Sequence, residues 1–180
     1  ELAWQIGFTA RSRCRPHGVP GFLLYPVHPI FFIQGSNEVV MSWGQDFQLR
    51  HIFLNVPHSA KPKPSWYGES VGHYENGDTL VVDTIGFNDR TYYDNFRTPH
   101  TGKLHVVERF TLVPGGSQME VKVHVEDPGA FTMPWNAVQR YRPDRRAEEV
   151  PPHEMVCAEN TEDNFNPGLV PIPQPDTADF

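Results

Sequence analysis

Ser70-Val71-Gly72-His73-Tyr74-Glu75-Asn76-Gly77-Asp78-Thr79-Leu80-Val81-Val82-Asp83-Thr84 is the stretch that decides the fold class. Two runs carrying β-branched and aromatic residues flank Asn76-Gly77. An Asn-Gly pair in that setting signals a tight hairpin, because both residues tolerate the positive φ that the turn demands. The same pattern repeats outward from it. Upstream, residues 30–33 and 39–43 are separated by Gly35-Ser36-Asn37, and Gly44-Gln45-Asp46 leads into a run over 47–54. Downstream, residues 104–113 and 119–126 flank Pro114-Gly115-Gly116-Ser117, and a last pair is expected at 135–141 and 154–159.

Helical periodicity is nearly absent, and 18 prolines and 14 glycines in 180 residues break the chain too often for a bundle. Seven to nine short strands joined locally predict an all-β fold. The expected architecture is an antiparallel up-and-down barrel, lipocalin-like, with room for one small ligand. A single barrel domain is expected over residues 1–160, opened by a short N-terminal helix or arm. Residues 161–180, with four prolines, are expected to form an extended Pro-rich tail. Pro16, Pro20, Pro26 and Pro29 make residues 14–29 a connector that covers part of the domain.

A chain of this length can bury a core without metal or partner. Its formal charge of -7 carries no basic block, which argues against nucleic acid. No run approaches the roughly 18 apolar residues of a membrane span. Cys14 and Cys157 flank the predicted core, and a disulfide between them would close a long loop worth about 4 kcal/mol in the chain-entropy model. Two reduced thiols are the alternative. A bridge implies an oxidising compartment, hence a secreted or periplasmic protein whose signal peptide does not appear in this sequence.

The segment Gly77 to Asn88, GDTLVVDTIGFN, is followed by Pro99-His100-Thr101 and by Leu104 to Phe110, LHVVERF. Together with Glu126-Asp127-Pro128, Pro134-Trp135 and Cys157-Ala158-Glu159-Asn160, this combination resembles a family of small, largely uncharacterised exported bacterial β-rich proteins. The resemblance covers most of residues 14–160. It implies export and a β-rich domain, and brings no reaction with it.

Alternation along strands assigns candidate chemistry to faces. In residues 47–53 the apolar set Phe47, Leu49 and Phe53 shares a face with His51, which is therefore expected inside. Glu108 falls with Leu104, Val106, Phe110 and Leu112, and Asp83 with Val81 and Ile85. A carboxylate among hydrophobes has its charged form disfavoured unless a cation or several donors compensate, which is how general acids and bases are tuned. His51, Asp83 and Glu108 are thus expected to form a proton-transfer set in the barrel, with His58 and His100, each after a proline, as rim donors. The alternative is structural, with Arg50 or Arg109 neutralising a carboxylate. Phe53, Trp66, Tyr74, Phe110, Trp135 and Tyr141 are expected to line the ligand site.

Nine histidines raise the possibility of zinc, but neither His-Glu-x-x-His nor Cys-x-x-Cys occurs, so no metal is expected. His124, between Lys122 and Glu126, is expected on a solvated face. No serine-hydrolase elbow, phosphate loop or dinucleotide fingerprint occurs, and no cofactor is expected. The expectation is a cofactor-independent isomerase, cyclase or lyase acting on a small apolar or aromatic molecule. The competing expectation is a non-catalytic carrier or sensor of such a ligand. A homodimer is left open.

Overall fold

The computed structural model describes residues 16–24, 29–44, 48–94 and 98–144. The expected N-terminal arm, the Pro-rich tail, the strand at 154–159 and both cysteines lie outside these residues. The connector is described from Pro16 to Leu24 and again at Pro29.

The chain is all-β. Among the described residues, eight strands follow one another in sequence order across one sheet: β1 (Ile30–Gln34), β2 (Glu38–Trp43), β3 (Leu49–Leu54), β4 (Glu69–Glu75), β5 (Thr79–Ile85), β6 (His105–Leu112), β7 (Met119–Glu126) and β8 (Trp135–Tyr141). The expected Asn-Gly hairpin is present, with Glu75 opposite Thr79 and both Asn76 and Gly77 at positive φ. No helix among the described residues is long and apolar enough to cross a membrane.

Two features correct the expected up-and-down barrel. β3 and β4 pair in parallel, Ile52 opposite Ser70 and Leu54 opposite Gly72. Parallel neighbours need a connection of about a dozen residues or more to return the chain to the same end, and the proline-rich excursion over 55–68 supplies it. Gly68, at φ +65°, ends that return where a Cβ would lie 2.5 Å from the Ile85 carbonyl oxygen. The second correction is that the sheet curls into a half-barrel: β1 and β8 are its two edges, and no ladder joins them among the described residues.

The inner face holds the core: Val39 and Met41 of β2, Ile52 and Leu54 of β3, Leu80 and Val82 of β5, Val106 and Phe110 of β6, and Val121, Val123 and Val125 of β7. Burying side chains of this size contributes about 1.5–3 kcal/mol each. The connector covers this face. Its Val19, Phe22 and Leu23 are buried, the last two in a short 3-10 turn over Gly21–Leu24.

Candidate functional site

The strands sort the expected catalytic residues onto opposite faces. In β3, Arg50, Ile52 and Leu54 are buried while Leu49, His51 and Phe53 are exposed, the reverse of the apolar-face assignment. His51 is 50% exposed, bonded to Glu38 at 3.1 Å and stacked on Phe53 on the outer face. The register carries inner Gly72, Val82, Glu108 and Val123 side by side, so Asp83, one residue on from Val82, also points outward. Glu108 alone of the three is inside. His51, Asp83 and Glu108 therefore do not share a hollow.

Glu108 is fully buried and held by Arg50, itself 2% exposed. Arg50 Nη1 donates to Glu108 Oε1 at 3.1 Å and its Nη2 to Oε2. The same guanidinium donates to Ser70 Oγ at 3.1 Å and Thr84 Oγ1 at 2.9 Å, and lies 5.3 Å from the Phe22 ring centroid. Each polar atom has a partner, so the pair is a closed structural unit beneath the connector. Burial and the Glu108 carboxylate both raise the phenol of Tyr141, which donates to the Leu23 carbonyl at 2.9 Å.

The remaining histidines expected at a rim are not there. His100 is buried, its Nδ1 3.1 Å from the Thr101 carbonyl oxygen and its Nε2 2.7 Å from Thr91 Oγ1. A carbonyl can only accept, so Nδ1 donates to it, and Nε2 pairs with the Thr91 hydroxyl, which leaves both ring nitrogens satisfied. Its neighbours Phe87 and Tyr93 pack edge-on. His58, by contrast, meets Asp83 on the outer face, with Nε2 3.0 Å from Oδ1.

That contact belongs to a row in which sequence reading had singled out His58 and Asp83 but neither Glu69 nor His105, nor the alignment that joins them. Glu69 Oε1 is 3.0 Å from His58 Nδ1 and accepts the Ser59 amide at 2.8 Å. Its Oε2 accepts the Ser59 hydroxyl at 2.7 Å. Asp83 Oδ1 is also 3.0 Å from His105 Nε2. His105 Nδ1 faces Glu126 Oε2 at 3.5 Å, and Glu126 Oε1 is 3.0 Å from His124 Nε2. His124 Nδ1 reaches Asn136 Oδ1 at 2.8 Å. Hydrogen bonding to His105 holds Asp83 below the usual carboxylate range, and that to Asp83 raises His105. Alternation placed His105, Val107 and Arg109 opposite Glu108, and that was the available signal for His105. Among the described residues no group of three or more His, Cys, Asp or Glu is arranged to hold a metal ion.

A cavity of about 390 Å³ opens between the β7–β8 end of the inner face and the connector. Leu23, Tyr93, Val123, Phe131, Trp135 and Ala137 form its largely apolar wall. Asp94, Thr98 and Gln139 add polar atoms, and Asp94 accepts the Thr98 amide at 3.1 Å and its hydroxyl at 2.7 Å. Tyr93, Phe131 and Trp135 brace one another, with ring centroids 4.8 and 6.2 Å apart. The Tyr93 hydroxyl donates to Asp127 at 2.6 Å, and burial with that carboxylate raises the phenol. The indole N–H of Trp135 is buried and meets no hydrogen-bond partner among the described residues.

Of the aromatics expected to line a ligand site, Trp135 does. Phe53 is exposed on the outer face, and Trp66 is half-buried in the 55–68 excursion. Phe110 lies on the inner face against Phe32, Tyr74 is half exposed with its hydroxyl on Gln34, and Tyr141 is tied to Leu23. Phe131, also on the wall, was missed because loop aromatics carry no periodic signal. No family model, curated protein or solved structure matches this chain.

Proposed function

We propose that this chain is a binding protein, a carrier or sensor, for a small and largely apolar molecule held in the cavity beside β8. The observation that carries the reading is an aromatic-walled cavity of about 390 Å³, with Tyr93, Phe131 and Trp135 on its wall and Asp94, Thr98 and Gln139 as its few polar groups. Ligand sites are typically apolar concavities of about 300–1,000 Å³ with a few placed polar groups. The expected isomerase or lyase chemistry has less support, because its three central groups face different environments and Glu108 is neutralised by Arg50.

Export, which the family resemblance implies, belongs to the same proposal, with Cys14 and Cys157 as its candidate disulfide. Peptide mapping without reductant tests that part by the presence or absence of the crosslinked pair.

The binding test uses N-phenyl-1-naphthylamine, a neutral apolar probe whose fluorescence rises in a dry site. Saturable binding with a micromolar Kd is expected, about -8 kcal/mol. Ala137→Trp, which fills the cavity, abolishes it while the unfolding transition stays cooperative. Native mass spectrometry of the purified protein is read for a co-purified small molecule. No saturable binding and no co-purified mass would refute the proposal.

A further inference from the structure

The outer-face row poses a proton-counting problem. His58 has Glu69 on one ring nitrogen and Asp83 on the other, each at 3.0 Å. Ionised carboxylates only accept, so His58 makes both bonds only when both its nitrogens carry hydrogen. His105 likewise stands between Asp83 and Glu126, and His124 between Glu126 and the Asn136 carbonyl oxygen. Neutral rings supply one N–H each, and the row then loses a bond at His58 and leaves Glu69, Asp83 and Glu126 to repel one another.

We infer that this row is a proton-operated fastener: its histidines, when doubly protonated, tie the 55–68 excursion at one end and the edge strand β8 at the other to the sheet between them. The excursion end is His58 and Ser59, both on Glu69. The β8 end is Asn136, next in sequence to Trp135. Every element between contributes: Glu69 from β4, Asp83 from β5, His105 from β6, and His124 and Glu126 from β7.

The other ion pairs on this face engage different carboxylates. Glu38 takes His51, Glu75 takes His73 and Arg109, and Glu120 takes Lys122 and Arg140. Val71 and Val107 stand opposite Asp83 on its two neighbouring strands and bring no charge. The balance of the row therefore turns on its own histidines and carboxylates.

The direction of the response follows from the shifts. His105 and His124 are raised, by their hydrogen bonds to Asp83 and Glu126, so their contribution is complete below the ordinary histidine value of 6.5 and fades as pH rises through the higher folded values. Asp83, Glu69 and Glu126 are lowered, first by hydrogen bonds from His105, Ser59 and His124 respectively. Their contribution is complete above the ordinary carboxylate values of 3.8 and 4.5, and fades as pH falls through the lower folded ones. The fastener is closed between those limits, near pH 5 to 6 on ordinary side-chain values.

The test is amide hydrogen exchange with the full chain between pH 5.5 and 8.5, corrected for intrinsic rates, together with imidazole ¹⁵N NMR. Protection of the Ser59 amide is expected to fall about tenfold across that range, and β8 amides to lose protection in parallel. The His105 ring is expected to report two N–H groups at the low end. In Asp83→Asn the pH dependence flattens and the His105 titration moves toward that of a free imidazole. His51→Ala, outside the row, leaves both unchanged. Flat Ser59 protection in the wild-type chain, or a single N–H on His105 at pH 5.5, overturns the inference. The wild-type scan decides it even if a variant fails to fold.

Discussion

Glu108→Gln tests the buried centre of the half-barrel. The wild-type carboxylate accepts two charge-assisted bonds from a guanidinium that is 2% exposed, and itself has no exposure. Glutamine keeps the shape and one acceptor, but turns an amide N–H₂ toward the guanidinium and leaves its charge uncompensated. Two charge-assisted bonds contribute about 1.5–3 kcal/mol each, and removing one partner of a buried pair costs about 3–5 kcal/mol, so the two routes agree on about 4 kcal/mol. At about 2–4 °C per kcal/mol for a domain of this size, Tm falls by roughly 8–16 °C. Arg50→Met with Glu108→Leu removes both charges, and is expected to be less destabilised than either single change even though Ser70 and Thr84 lose Arg50 as a donor. Urea unfolding at pH 7, followed by tryptophan fluorescence, gives all four corners of the cycle. A cost for Glu108→Gln below about 1 kcal/mol, or singles that sum to the double, would refute the reasoning that this pair is dry and mutually compensating.

Asp127 gathers the Tyr93 hydroxyl, the Thr101 amide and hydroxyl and the Gly129 amide, and is 2% exposed. Burial works to raise its carboxyl, and these donors outweigh it and hold the carboxyl low. Asp127→Asn is therefore expected to cost about 3 kcal/mol at pH 7, with the gap to wild type narrowing as pH falls below about 4; a gap independent of pH counts against the assignment. Gly68→Ala combines positive φ with a Cβ 2.5 Å from a backbone oxygen, and is expected to cost on the order of 3 kcal/mol by urea titration, whereas an unchanged midpoint would show the return to β4 to be loosely held. Trp135→Ala removes an aromatic side chain from the cavity wall. Affinity for N-phenyl-1-naphthylamine should drop about tenfold, and an unchanged Kd would place the probe elsewhere.

Strand positions were legible because their signals are local. Asn76-Gly77 and Gly115-Gly116 adopt the positive φ that their turns require, and the runs between such breaks became β1 to β8. Chemistry was less legible, because alternation names two faces without saying which one the fold will cover. In β3 the apolar Leu49 and Phe53 went outward, and the charged Arg50 went inward to Glu108, 58 residues away in sequence. In β5 and β6, Val81 and Val107 make the outer face apolar as well, which blurs the contrast on which the assignment of Asp83 depended.

What the amino-acid order determined by itself was the sequence of short strands and turns, since each turn needs only the φ freedom and hydrogen bonds of a few adjacent residues. Tertiary structure decided the parallel β3–β4 step, the curl that buries Arg50 against Glu108, and the alignment of His58, Asp83, His105 and Glu126 across four elements. Those depend on which strand lies beside which and on how the excursion returns, and partners that meet only when a sheet assembles leave no periodic trace along the chain.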